Sequence, residues 1–144
     1  MKKRGLAILL ILFSVIVLKA EDIEGKWKTI DDKTGEVKSI VEISVQNDKA
    51  YGNIIRLFNE DPNYNPDCKN CKGDLKNKKI IGMQIINGIK LQDGKWVGRK
   101  GVIDPDNGKF YKCKMWLDSK NPNKLIVRGY IAFFYREQTW LREK

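Results

Sequence analysis

From Val41 to Gln46 the chain alternates strictly: Val41, Ile43 and Val45 are apolar, and Glu42, Ser44 and Gln46 are polar. Successive side chains on a β-strand point to opposite faces. A period of two therefore marks a strand with one face in a core and the other in water. The stretch QNDK (46–49) reverses the chain, and AYGNIIRLF (50–58) is the partner strand. A second hairpin joins KWVGRKGVI (95–103) to KFYKCKMWL (109–117) through DPDNG (104–108). In that turn Pro105 presets φ behind Asp104, Asn107 tolerates a left-handed backbone, and Gly108 adopts one freely. On the strand that follows, Tyr111, Cys113, Met115 and Leu117 share one face, and Lys112 and Lys114 share the other. SKNPNK (119–124) is a further turn, KLIVRGYIAFF (124–134) a further strand, and REQTWLRE (136–143) closes the chain. IIGMQIINGIK (80–90) fits either a strand or a short helix, because periodicity does not decide over so short a run.

Roughly seven to nine short strands, separated by turns at even spacing, predict an all-β domain. An up-and-down antiparallel β-barrel of about eight strands suits the pattern better than an open sandwich, because closure removes exposed strand edges. The one long irregular stretch is residues 59–79, NEDPNYNPDCKNCKGDLKNKK. Loops of this length in compact domains are functional or tied down.

The first twenty residues do not belong to that pattern. Lys2, Lys3 and Arg4 precede an uncharged run of 13 residues, Leu6–Leu18, and Lys19-Ala20 leads into acidic EDIEG. A basic start, a short apolar stretch and a small residue at its end mark a secretory signal peptide cleaved near Ala20. The run is short for a membrane span. Residues 1–20 are thus expected to be a leader and 21–144 a single barrel domain in the periplasm or outside the cell. Without Lys2, Lys3, Arg4 and Lys19, the 28 cationic residues become 24 against 18 acidic ones, a net charge of +6. The lysines are scattered, which gives a solvated basic surface rather than a nucleic-acid site.

The chain contains no histidine. This removes Ser-His-Asp and Cys-His nucleophile activation and His-ligated zinc. Asp104, Asp106 and Tyr111 could exchange protons, but aspartates at a turn ordinarily bind local backbone amides. The expectation is a protein that is not an enzyme, with no catalytic set, no metal and no cofactor.

Cys68 and Cys71 form C-x-x-C inside the long loop, and Cys113 stands apart. A disulfide between the pair suits an exported chain. A thioredoxin-like redox site, structural zinc and two free thiols are the alternatives. The first of these wants a helix start that PDCKNCKGD lacks, and zinc wants four ligands. Cys113, on an apolar strand face, is expected to be a buried free thiol.

Trp27 opens the first strand and Trp140 lies in the last, and these strands are neighbours in a closed barrel. Gln138, Trp140 and Arg142 share parity, so an inward Trp140 carries the other two with it. Two outcomes follow. Arg142 and Trp27 staple a closed barrel end through a cation–π contact, or Arg142 and Gln138 reach into a cavity and meet a ligand's polar or anionic head. The candidate binding set is Trp27, Gln138, Trp140, Arg142 and Tyr111. Arg128 and Tyr130 point outward if Leu125, Val127 and Ile131 face the core. Phe133-Phe134-Tyr135 breaks the alternation and marks a bulge or an apolar patch at the rim.

Taken in order, GKWKTIDDKTGEVKSIVEI, YGNII, CKNCKGD, IIGMQII, VIDPDNGKFYKCKMWL, LIVRGYI and QTWLR resemble domain of unknown function 2147, a family of exported bacterial proteins. The resemblance spans residues 24–142. It implies a calycin-like barrel and an envelope location, and no assigned activity. Its recurrent positions fall here on Gly25, Trp27, Cys68, Cys71, Asp104, Pro105, Gly108, Tyr111, Arg128, Gly129, Tyr130, Gln138, Trp140 and Arg142. After Arg128-Gly129-Tyr130 the chain is bulkier than that pattern. The Gly-x-Trp start and Trp-x-Arg end are similar to lipocalins as well. The expected function is binding of a small anionic or apolar ligand in the cell envelope. The alternative is a filled barrel whose basic surface meets an envelope protein or the membrane face.

Overall fold

The computed structural model describes residues 22–144, and the expected leader lies outside them. The strands are β1 (Gly25–Ile30), β2 (Val37–Gln46), β3 (Lys49–Leu57), β4 (Gln84–Gln92), β5 (Lys95–Asp104), β6 (Lys109–Leu117), β7 (Lys124–Ile131) and β8 (Phe134–Arg142). Each pairs antiparallel with the next, and β8 returns to β1 through Trp27↔Arg142 and Lys28↔Leu141, closing the barrel. The expected all-β up-and-down barrel is the observed fold. The segment left open between strand and helix divides: Ile80–Met83 forms a turn and β4 begins at Gln84.

Turn chemistry sets the hairpins. Asn47 and Asp48 (φ 50° and 61°) join β2 to β3, and Asp93 and Gly94 (φ 50° and 76°) join β4 to β5. Left-handed residues at both central positions match the twist of paired strands. In the β5–β6 turn only Gly108 is left-handed (φ 70°). Asn107 serves differently from expectation: its amide donates to Asp104 Oδ2 (3.2 Å) and to the Tyr111 hydroxyl (2.9 Å). The break in alternation at Phe133 is a two-residue turn at Ala132–Phe133, with Ile131 opposite Phe134, and not a bulge.

Every second residue of most strands enters one continuous core, which includes Trp27, Ile43, Ile86, Ile89, Met115 and Leu125. Cys113 is fully buried in it, and a Cβ on Gly101 would lie 2.5 Å from its sulfur. Burial in this apolar setting raises the thiol pKa to about 12. Cys68 and Cys71 are disulfide-bonded, with Cα atoms 5.4 Å apart, and both belong to the core. The long loop is therefore anchored. The Cys68 amide donates to Lys78 O (2.8 Å), the Ile80 amide to Pro66 O (3.0 Å), and Asp67 bridges to Lys79.

Candidate functional site: an open barrel end

The two ends of the barrel differ. At one end the chain before β1 folds across the opening. Trp27 is wholly buried and its indole N–H donates to Ile23 O (2.9 Å). The Arg142 guanidinium lies 4.2 Å from the Trp27 ring centroid. The same group donates to the carbonyls of Glu24 (3.0 Å), Asp22 (3.2 Å) and Pro122 (3.3 Å). The indole bond fastens the entering chain to β1, and Arg142 ties that chain and the turn containing Pro122 to the last strand, so the barrel is closed over Trp27.

At the other end the turns between β1 and β2, β3 and β4, β5 and β6, and β7 and β8 surround a cavity of about 680 Å³. That is the size of sites that hold small molecules. Its deeper wall is apolar, with Ile54, Ile85, Val102, Ile103, Val127 and Trp140 among the lining residues. Two hydroxyls interrupt this wall. Thr29 and Ser39 stand opposite each other on β1 and β2, both buried, with oxygens 2.6 Å apart.

Charges collect at the rim, and two ion pairs form among them. Lys38 forms an ion pair with Asp106, and Arg136 with Asp32. Burial opposes the charge on Lys38. The hydrogen bond and charge of Asp106, with Asp104 and Asp31 nearby, outweigh it and hold the ammonium pKa above its ordinary value. Backbone amides of Thr34 and Lys33 hold the Asp31 carboxyl below its usual value. A chain of hydrogen bonds runs from the depth to the rim. The Trp140 indole N–H donates to Gln138 Oε1 (3.1 Å), and the Gln138 amide donates to Asp32 Oδ2 (2.9 Å).

The candidate binding set therefore separates. Gln138, Trp140 and Tyr111 line the cavity. Trp27 and Arg142 do not line it and lie together at the opposite, closed end. Parity along β8 places Gln138, Trp140 and Arg142 inside alike, but each step of two residues moves about 7 Å along the strand. Arg142 consequently sits a full level below the Trp140 indole. Asp104 and Pro105 also line the cavity, and the β5–β6 turn holds the disulfide loop in place. Asn70 donates to Asp106 O (2.7 Å), and the bridged Cys68 sulfur packs 3.3 Å from Pro105 O.

Sequence reasoning missed Asp32, Lys38 and Arg136. Asp32 sits in a turn and meets Gln138 across 106 residues of chain, and no local pattern signals such a contact. Lys38 precedes a register shift at Ile40/Val41, where three successive residues, Ser39, Ile40 and Val41, are buried and simple alternation fails. Among the described residues no cluster of three or more His, Cys, Asp or Glu side chains is arranged to hold a metal ion.

Closed floor, open mouth and eight up-and-down strands define a lipocalin-like barrel. The chain belongs to the family described as "Uncharacterized protein conserved in bacteria (DUF2147)", which it matches over residues 25–142. Helicobacter pylori protein HP1028, described as belonging to the lipocalin family, has a similar structure. The TM-score is 0.70 over 85% of this chain and 84% of that one, at 19% sequence identity, a likeness that shows the fold. No curated protein is significantly similar to the chain in sequence.

Proposed function

We propose that the protein is a non-catalytic carrier or sensor of the cell envelope that binds a small molecule in the open end of its barrel. The observation that carries this reading is the cavity: about 680 Å³, mainly apolar in depth, with polar groups at the rim, at the Thr29–Ser39 pair and along the Trp140–Gln138–Asp32 chain of hydrogen bonds. Such a site suits a ligand with an apolar body and a polar end. Of the two chemistries expected, the apolar one is better supported. Three cations line the cavity: an anionic head would have to break an ion pair to reach Lys38 or Arg136, and Lys33, unpaired among the described residues, shares the rim with the carboxylates of Asp31, Asp32, Asp104 and Asp106. The envelope location is supported by the basic, then apolar, first twenty residues and by the Cys68–Cys71 bridge, which suits an oxidising compartment.

The cavity also weighs against the alternative of a wholly filled barrel. The test is binding of the neutral fluorophore N-phenylnaphthylamine, compared with the variant Val127→Trp, which fills the cavity from β7. Saturable binding that is lost in a folded Val127→Trp variant is expected. Equal binding by both proteins would place the probe elsewhere and end this reading.

A further inference from the structure

The apex of the β7–β8 hairpin is apolar and uncovered. Phe133 is 100% exposed, Phe134 76%, Tyr135 58% and Ile131 55%. The turn is only two residues long, with Ala132 left-handed (φ 51°), so both phenylalanines stand on a narrow projection. Immediately behind it lies a row of paired residues, Lys112–Tyr130–Tyr135, and behind that Lys114–Arg128–Glu137. Arg128 is neutralised by Glu137 at 2.7 Å. Lys112 and Lys114 flank the Tyr130 ring, at 5.4 and 5.9 Å, and neither forms an ion pair among the described residues.

We propose that this hairpin docks the protein on an anionic lipid surface: Phe133 and Phe134 enter the bilayer interface, and Lys112 and Lys114 meet the headgroups. The geometry fits the depth of that interface. Tyr130 lies two residues before Ala132, so Lys112 sits about 7 Å behind the apex. Interfacial segments bury their apolar side about 5–10 Å deep. Aromatic side chains favour that boundary, and basic residues beside it gain from anionic lipid. A narrow convex apex suits a bilayer better than a protein partner, whose standard interface buries about 800 Å² per side. No described helix is long and apolar enough to cross a membrane.

The orientation has a consequence for the cavity. Gly129, Ile131 and Arg136 line the mouth, and all three flank the docking apex. Docking therefore holds the mouth close to the bilayer, where an apolar molecule could pass between membrane and barrel. The docking itself does not depend on the cavity being occupied.

The test is flotation of residues 22–144, which form the complete barrel, with phosphatidylglycerol-containing vesicles and with neutral phosphatidylcholine vesicles. This span omits the apolar run 6–18, which would seek a bilayer on its own. We expect co-flotation with the anionic vesicles, weakened at least about tenfold in Phe133→Ser/Phe134→Ser. Each of Lys112→Gln and Lys114→Gln should weaken it about fivefold. Neither Phe lines the cavity, so the double variant should keep N-phenylnaphthylamine binding, which separates failure of docking from failure of the ligand reading. No flotation of the wild-type protein, or equal flotation of the double variant, overturns the proposal. So does a concentration-dependent dimer that the double variant abolishes, since the patch would then belong to a second copy.

Discussion

Gly108 and Asn70 meet backbone to backbone: a Cβ built on Gly108 would lie 2.0 Å from the Asn70 carbonyl oxygen. This contact joins the β5–β6 turn to the disulfide loop. It explains why the turn needs glycine twice over, once for its positive φ and once for the approach of another chain segment. Gly108→Ala is expected to cost about 2–4 kcal/mol, from left-handed strain and from displacement of the loop. Denaturant unfolding would measure the loss, and proteolysis should become faster between residues 59 and 82. A loss below about 0.5 kcal/mol would mean that the loop does not bear on the turn.

Trp27 answers to the closed end. Its indole is wholly buried, hydrogen-bonded to Ile23 and covered by Arg142. Trp27→Ala should destabilise the barrel by about 3–5 kcal/mol, as large-to-small changes in a packed core do. It should leave the affinity of the cavity for N-phenylnaphthylamine nearly unchanged at temperatures where the variant is folded, because Trp27 does not line that space. Loss of probe binding without loss of stability would reverse this assignment.

Much of the fold was legible because its physics is local. Alternation fixed the inward face of β2 and β6, and turn residues marked the β2–β3 and β5–β6 hairpins. The β7–β8 turn was not legible at its true place. Ile131-Ala132-Phe133-Phe134 contains no Gly, Asn or Pro, and the segment reads as continuing strand. The site was legible only in part. Parity assigned Gln138, Trp140 and Arg142 to the interior but said nothing of height along the barrel axis, which is what separates the cavity from its floor. The pairing of Asp32 with Gln138 and Arg136 depends on barrel closure, a property of the whole chain.

The Cys68–Cys71 bridge closes a very short loop, worth about 2 kcal/mol in chain entropy. Its sulfurs are nevertheless in the core, beside the β5–β6 turn. Reduction should leave the barrel folded by near-ultraviolet circular dichroism while residues 59–82 become protease-sensitive. Global unfolding on reduction would mean that the loop is part of the barrel's cooperative core.

Cys113 should be inert. Its thiol is fully buried and burial raises its pKa from 9.0 to about 12. Iodoacetamide at pH 8 should leave it unmodified in the native protein and alkylate it on unfolding, as read by intact mass. The same shift fixes a sign for stability. Below pH 9 the thiol is protonated in both states and costs nothing. Between pH 9 and about 12 it ionises only when unfolded, so stability should fall across that range. Rapid alkylation of the folded protein at pH 8 would contradict the buried placement.

The central claim is that the open end of the barrel holds a small molecule. Native mass spectrometry of the protein, purified from its own host without detergent, tests it most directly. The account predicts a reproducible added mass that is lost on denaturation and absent from a folded Val127→Trp variant. An added mass that persists in Val127→Trp would contradict the account, and so would a bare chain that also fails to take up any apolar molecule from the host's lipid extract.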